Sequence, residues 1–352
     1  MSYGTPWFCS RERADKVFPI PYQQREVDAI AFRNAHGITP KDKDTVKVAL
    51  LAIDNQITFC LPPPWGQLFV GGRSGTAAVD DTYRLCDFIY RNLGTITKII
   101  PTMDTHYPHQ IFHAAFWVDG DGNHPDGAMC PFITVEDVES GKWMPNPALS
   151  RKLAYGDHAW LYDYAKHYVK TLSSNGKFQL QVWPYHAMKG SVSHALVPLF
   201  EEAVFFHEIA RSYDVEFPIK GEITKTENYS VFKPEVEVCQ EGWRLTSTKQ
   251  DQDAQEMVSM LMRCDMVIAA GQAKSHCFAW TMDNFLEEII KWNPDFAKKV
   301  YILEDCTSPV VIPGVVDFTE VADAAMERLV KGGMNLVKSV DDIRSWTNSP
   351  VK

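Results

Sequence analysis

The chain has 352 residues, 45% hydrophobic and 23% charged, a balance that lets it bury a large core as a globular protein. Its net charge of −10 excludes a basic nucleic-acid-binding surface, because phosphate recognition rests on clustered Lys and Arg. No apolar run approaches the roughly 18 to 20 residues that span a bilayer, and residues 1 to 16 lack the apolar region of a signal peptide; the expectation is a cytoplasmic protein with no membrane partner.

Residues 1–45 are rich in Pro, Arg, Asp and Gln without a sustained period and read as an irregular N-terminal extension. A repeating alternation starts at Val46, and residues 46–352 are expected to form one domain. Apolar runs predict buried strands at Val46 to Asp54, Thr97 to Met103, Phe178 to Val182, Asp214 to Ile219, Asp265 to Ala270 and Lys299 to Leu303. Helical spacing lies between them, at Ala77 to Arg91, His194 to Arg211, Gln252 to Arg263 and Ser275 to Lys291. Strands alternating with helices imply an α/β fold, a doubly wound, mostly parallel sheet with helices on both faces. Such sheets bind ligands beyond the C-terminal ends of their strands. Residues 107–177 exceed that plan; with a Pro-rich stretch and a helix-like run from Leu153 to Leu172, they read as an insertion that caps the site or forms an oligomer contact.

Eight cysteines are scattered along the chain without a Cys-x-x-Cys pair, so reduced thiols are expected and a thiolate zinc site is disfavoured. Cys277 stands apart. The run Met266-Val267-Ile268-Ala269-Ala270 breaks at Gly271, and Cys277 then falls at the start of a helix-like stretch. A helix N-terminus favours a thiolate, which makes Cys277 a candidate nucleophile. His276 beside it is discounted as a papain-like base, because adjacent helical residues diverge by about 100°.

The other strand ends carry polar residues too. Asp54 closes the first strand and needs a cation or hydrogen-bond donors if buried; capping of the next loop is the competing reading. Asp104 and His106 follow the second strand two residues apart, pointing the same way, which begins a metal site unless they form a surface pair. His186, after the third strand, is the natural third ligand; His109, His113, His124 and His158 have no comparable spacing. Lys220 ends the next strand, where it can pair with Asp54 and hold a nearby thiol as thiolate, or be solvated.

Together these segments resemble the cysteine hydrolases of the isochorismatase-like fold, and among them the nicotinamidases. The match is carried by Asp54-x-Gln56-x-x-Phe59, Asp104-x-His106, Trp183-Pro184-x-His186, Lys220-Gly221-x-x-Thr224 with Tyr229-Ser230-x-Phe232, and Gly271-x-Ala273-x-x-x-Cys277, in that order over residues 46 to 340. The resemblance implies a catalytic triad of Asp54, Lys220 and Cys277, an oxyanion hole from the Ala273 and Cys277 amides, and a cis peptide at Gln272-Ala273. It also implies one divalent metal on Asp104, His106 and His186, zinc first, with iron or manganese as alternatives. Phe59 and Trp183 match residues that flank the substrate ring, and Tyr229 joins them as a substrate contact. Isochorismatase-type members generally lack the metal set, so its presence implies hydrolysis of nicotinamide to nicotinate and ammonia. The chain departs from the family at Thr58, where an acid is common, at Ala187, where cysteine is common, and at Phe112, with His113 one residue beyond. Alternative readings are an amidase for another small amide and a catalytically silent binding protein.

Overall fold

Val48–Ile53 (β1) is apolar at every position and buried at every position. That pattern requires cover on both faces, and the period of two divides it cleanly. Val48, Leu50 and Ala52 join one core cluster with Met266, Ile268 and Ala270, while Ala49, Leu51 and Ile53 join a second with Val267 and Ala269. The computed structural model describes residues 3–174 and 178–352. The first two residues of the expected extension and the last three of the expected insertion lie outside the described residues.

The central sheet comprises β1, Lys98–Pro101 (β2), Met266–Gly271 (β3), Val300–Leu303 (β4) and Asn335–Val337 (β5). Its order is β5-β4-β3-β1-β2, with every pair parallel. The register sets Leu51 against Ile100 on one side and Ala269 on the other, and Ile53 against Gly271. The order reverses between β1 and β3, and the crevice beyond their C-terminal ends is where such a sheet accommodates a ligand.

Among the described residues seven longer helices accompany the sheet: Tyr22–His36 (α1), Ala77–Arg91 (α2), His158–Ser174 (α3), Pro198–Arg211 (α4), Thr248–Met262 (α5), Cys277–Trp292 (α6) and Thr319–Lys331 (α7). Leu85, Phe88 and Ile89 of α2 and Leu199, Phe200 and Ala203 of α4 pack into the first cluster. Leu261 of α5, Phe278, Met282 and Phe285 of α6, and Met326 and Leu329 of α7 fill the second. Each of these buried Leu, Ile, Phe and Met side chains contributes about 1.5–3 kcal/mol relative to exposure. The expected doubly wound α/β architecture is therefore present. Among the described residues no helix is long and apolar enough to cross a membrane, and all eight cysteines are free thiols.

Three sequence expectations need correction. Of Phe178 to Val182, only Leu180–Gln181 is a strand, and it pairs antiparallel with Phe132–Ile133 outside the central sheet. Of Asp214 to Ile219, only the end is extended: Ile219–Lys220 pairs in parallel with Met103–Asp104, just past β2. Pro218 lacks an N–H for a ladder, and Phe217 and Ile219 are exposed, so this is edge structure and not a core strand. The N-terminal stretch, expected to be irregular, contains α1. Its buried residues are Arg25 and Ala29, so it has no apolar stripe for periodicity to detect. It docks on α4 partly through charge, Arg25 Nε donating to the buried Glu202 at 2.7 Å with its guanidinium 3.7 Å from the centre of the Phe8 ring, and partly through Phe32, whose ring centre lies 5.8 Å from that of Phe206.

Within the expected insertion, α3 buries Leu161, Tyr164, Ala165, Tyr168, Val169 and Leu172. Tyr164 Oη donates to the Lys225 carbonyl, and Tyr168 Oη accepts from the Glu227 amide at 3.1 Å. This fixes the helix against the segment that follows Lys220.

Candidate active site

β1 ends in a sharp turn at Asp54, whose φ of 49° lies in the left-handed region. Its amide donates to Thr102 Oγ1 at 3.1 Å, and that hydroxyl donates to Asp54 Oδ1 at 2.6 Å. The carboxylate is fully buried and faces Lys220, whose Nζ lies 3.0 Å from Asp54 Oδ2. The same ammonium lies 2.9 Å from Asp104 Oδ1 and donates to Cys277 Sγ at 3.4 Å and to the Asn228 carbonyl at 3.0 Å. Asp54, Lys220 and Cys277, distant in sequence, thus meet at one point.

Burial would lower the Lys220 pKa, but the adjacent Asp104 and Asp54 carboxylates more than offset it, and the pKa stands well above the usual lysine range. Burial raises the Asp54 pKa, with Lys220 opposing and Asp104 reinforcing the rise. Cys277 begins α6, as the sequence indicates. Burial pushes its pKa well above the usual thiol value, Lys220 opposes that rise, and the Asp54 and Asp104 carboxylates add to it, so a base beside the thiol would assist its ionisation.

Asp104, His106 and His186 each offer a ligand atom within 4.8 Å of the others, and all three are buried. His106 Nδ1 lies 3.4 Å from the Gly221 carbonyl and His186 Nδ1 2.7 Å from the Pro184 carbonyl. A carbonyl can only accept, so each Nδ1 carries the proton and each Nε2 presents a lone pair. Burial, with His106 adjacent, lowers the His186 pKa to about 3, which keeps that ring neutral. His106 Nε2 is 2.7 Å from Asp104 Oδ2 and His186 Nε2 is 4.0 Å from it. Even so, His106 Nε2 is buried without a well-directed hydrogen bond. Lone pairs converging on one point fit a divalent cation and leave the histidine nitrogen unsatisfied without one. Asp54, Asp104 and Cys277 also lie within 4.8 Å of one another, but the Lys220 ammonium occupies that corner.

The supporting side chains explain the precision of the set. Gln56 spends its whole amide on backbone, accepting from Asp104 N at 2.7 Å and donating to Asp104 O and His194 O, both at 2.8 Å. Thr58 accepts from the Ala187 amide at 3.1 Å, while the Ala187 carbonyl accepts from His106 N at 2.9 Å, tying the His186 loop to His106. At Gly221, φ is 86° and an added Cβ would lie 2.7 Å from Asp104 Oδ1 and 2.8 Å from His106 Cε1. Gly221→Ala is therefore expected to cost more than about 1 kcal/mol of stability and to lower metal content and turnover together. Metal analysis of the purified variant checks this, and wild-type metal content would contradict it.

The Gln272-Ala273 peptide is cis. Gln272 Nε2 donates to the buried Asp81 of α2 at 2.8 Å, and Gln272 Oε1 accepts from Ser308 N at 3.3 Å. In this loop the amides of Gln272, Lys274, His276 and Phe278 donate to backbone carbonyls, whereas those of Ala273, Ser275 and Cys277 have no such acceptor among the described residues. Phe59 packs edge-on to His186 with ring centres 5.6 Å apart, and Trp183 Nε1 donates to Tyr229 Oη at 3.2 Å.

Other histidines are dispersed. His109 lies beside Lys152, His124 binds the Trp117 carbonyl and His158 binds Ser150. His113 is different, fully buried with its ring centre 5.8 Å from His106 and 5.9 Å from His186. No spacing in the sequence indicates that proximity. Thr102 and Asp81 carry little sequence signal: a hydroxyl at the end of a buried strand is the local mark of the first, and nothing local marks the second.

Fold and site together define an α/β protein with a buried Cys–Lys–Asp cluster beside a candidate metal site. No protein-family model matches the sequence, and no curated protein matches it. Solved structures similar to it include an Acinetobacter baumanii nicotinamidase/pyrazinamidase, with a TM-score of 0.46 at 17% identity over 85% of this chain and 99% of that one. The yeast nicotinamidase Pnc1p aligns with a TM-score of 0.46 at 19% identity over 82% and 99% of the two chains. The Pyrococcus horikoshii pyrazinamidase in complex with zinc gives 0.40 at 15% identity over 83% and 99%.

Proposed function

We propose that this chain is a metal-dependent cysteine amidohydrolase that converts nicotinamide to nicotinate and ammonia. The observation that carries the reading is the position of Lys220 Nζ, within 2.9–3.4 Å of Asp104, Asp54 and Cys277, which joins a nucleophile–base pair to a metal-ligand set. The resemblance of the ordered segments to nicotinamidases supplies the substrate.

Asp54 takes the Cys277 proton and Sγ attacks the carboxamide carbon, with Lys220 balancing the charge. The oxyanion is received by the Ala273 and Cys277 amides, contacts worth about 3 kcal/mol per donor. Asp54 returns the proton to nitrogen, the C–N bond breaks and ammonia leaves a thioester. Water, deprotonated by Asp54, then opens the thioester to nicotinate and regenerates the thiol. Phe59, Trp183 and Tyr229 hold the ring. Asp104, His106 and His186 would hold a divalent cation, zinc first, whose Lewis acidity supplies an anchor for the ring nitrogen. In this reading residues 107–177 cap the site of a single domain spanning 46–352.

Ammonia release from nicotinamide, measured with metal-loaded and chelator-treated protein, tests the assignment. Chelation is expected to raise KM by at least tenfold, with re-addition of zinc restoring it. A folded, metal-loaded protein that releases no ammonia would reject nicotinamide.

The pH profile gives a second check. Asp54 works as a base only when ionised, and burial raises its pKa. Activity should therefore fall as pH drops through a limb above the ordinary carboxylate range of about 4. Thr102 donates to the ionised form, so Thr102→Val should move the limb further up. A limb in the ordinary range, or one unmoved by the substitution, contradicts the assignment of Asp54.

A further inference from the structure

Gln272 directly follows β3 and is fully buried. Three hydrogen bonds fix it from three elements. Its amide donates to the Ile53 carbonyl of β1 at 2.7 Å, Oε1 accepts from the Ser308 amide at 3.3 Å, and Nε2 donates to Asp81 Oδ2 of α2 at 2.8 Å. The orientation of the side-chain amide follows from its partners: a backbone N–H only donates and so takes the oxygen, which leaves the NH2 for the carboxylate. Ser308 holds the loop a second time, its carbonyl accepting from the Lys274 amide at 2.8 Å.

Asp81 is the one acid among the buried residues of α2 and is 2% exposed. Oδ1 accepts from Arg84 Nη2 at 2.7 Å, and Oδ2 is left for Gln272. Packing alone does not call for an acid there, because burying a carboxylate is costly and an apolar residue of similar volume is often as stabilising. What Asp81 adds is a fixed acceptor for Gln272. The Ala273 nitrogen belongs to the peptide unit that starts at Gln272. The Ala273 carbonyl is already engaged, accepting from the His276 and Phe278 amides at 2.9 and 3.1 Å, so the N–H is the backbone group of this residue left for a ligand. Such a donor stabilises developing charge to the extent that it is held in place beforehand.

We propose that Asp81 is a positioning residue for the reaction: acting through Gln272, it holds the Ala273 amide where the oxyanion forms. The inference rests on the amidohydrolase reading and adds to it a residue on a helix that supplies no group to the reacting atoms.

The test uses metal-loaded protein and breaks the contact from each end. Asp81→Ala removes the acceptor, and Arg84, being partly exposed, remains solvated; Gln272→Met keeps the length of the side chain and removes both of its hydrogen bonds. Each is expected to lower kcat for nicotinamide on the order of 10²-fold, the scale of a misplaced catalytic group, with KM within about threefold. Two probes of Cys277 separate positioning from a general structural defect. Pyridine-3-carbaldehyde adds the sulfur to its carbonyl carbon as the C=O π bond opens, leaving an oxygen at the oxyanion position, and its affinity should fall with kcat. Iodoacetamide is attacked by the same sulfur with loss of iodide and develops no oxyanion, so its rate, read at Cys277 by peptide mass mapping, should stay within about threefold. Rescue comes from exchanging the partners. In Asp81→Asn with Gln272→Glu, the asparagine Nδ2 donates to the glutamate, while Arg84 and the Ser308 amide keep their acceptors; the double variant should recover about tenfold over Gln272→Glu alone, the size of one hydrogen bond. Unchanged kcat in folded Asp81→Ala and Gln272→Met, or parallel loss of aldehyde affinity and alkylation rate, would overturn the proposal and leave Asp81 structural. If wild type releases no ammonia from nicotinamide, that substrate reading fails separately and the two probes decide the inference: aldehyde affinity lost with alkylation retained supports it, and any other result, including no aldehyde adduct in wild type, overturns it.

Discussion

Cys277→Ala is expected to abolish amide hydrolysis, with kcat reduced by about 10⁴-fold or more, the scale on which loss of a nucleophile acts. The Cys277 sulfur is the atom that bonds to the substrate carbon in the proposed reaction, and it lies beside Lys220 and Asp54. The fold should survive. Sγ accepts from Lys220 at 3.4 Å and pairs with the Asp54 carboxylate, and the substitution removes one atom from the start of α6. Ammonia release measured alongside circular dichroism checks both halves. Residual turnover within tenfold of wild type in a metal-loaded, folded variant would remove Cys277 from the chemistry. Loss of turnover together with loss of fold would instead make the cysteine structural.

The second large effect is expected at Lys220. Its ammonium separates two buried carboxylates, Asp54 at 3.0 Å and Asp104 at 2.9 Å. Lys220→Met keeps the length of the side chain and removes the charge. Breaking a buried ion network by deleting one partner costs about 3–5 kcal/mol, and activity should fall on the order of 10³-fold, because the charge that balances the reacting thiol is gone. The pH dependence has a definite sign. Without the cation, the folded-state pKa of at least one carboxylate rises above its unfolded value, so the folded state binds more protons in the window between the two. The stability deficit should be small below about pH 4, where the unfolded carboxylate is protonated, and should grow as pH rises toward the folded pKa. Urea unfolding of both proteins at several pH values measures it. Equal stability throughout would mean that the carboxylates are relieved by some group other than Lys220.

The legibility of the chain followed the local character of each signal. β1, β3 and β4 announce themselves because a strand buried on both faces must be apolar throughout. Helix α2 is legible at its observed bounds because its core face repeats at 3.6 residues. Helix α1 is not, because it buries only Arg25 and Ala29 and is held in part by Arg25 against Glu202 and Phe8, contacts that leave no periodic trace. The Leu180 and Ile219 segments resemble strands locally, yet their partners lie at sheet edges, and pairing is decided by residues far away in sequence.

The same division runs through the site. The sequence by itself determined which chemical groups close the strands: Asp54, the Asp104–His106 pair, Lys220 and Cys277, each marked by a polar residue where an apolar run stops. Only the tertiary structure decided that these ends converge, that His113 lies beside His106 and His186, and that Thr102, Gln56 and Asp81 hold the groups in register. It also decided the surroundings of the Cys277 thiol. A helix start and a lysine argue for thiolate, but burial between two carboxylates raises the thiol pKa. Desolvation depends on everything packed around a group, and no short stretch of sequence records it.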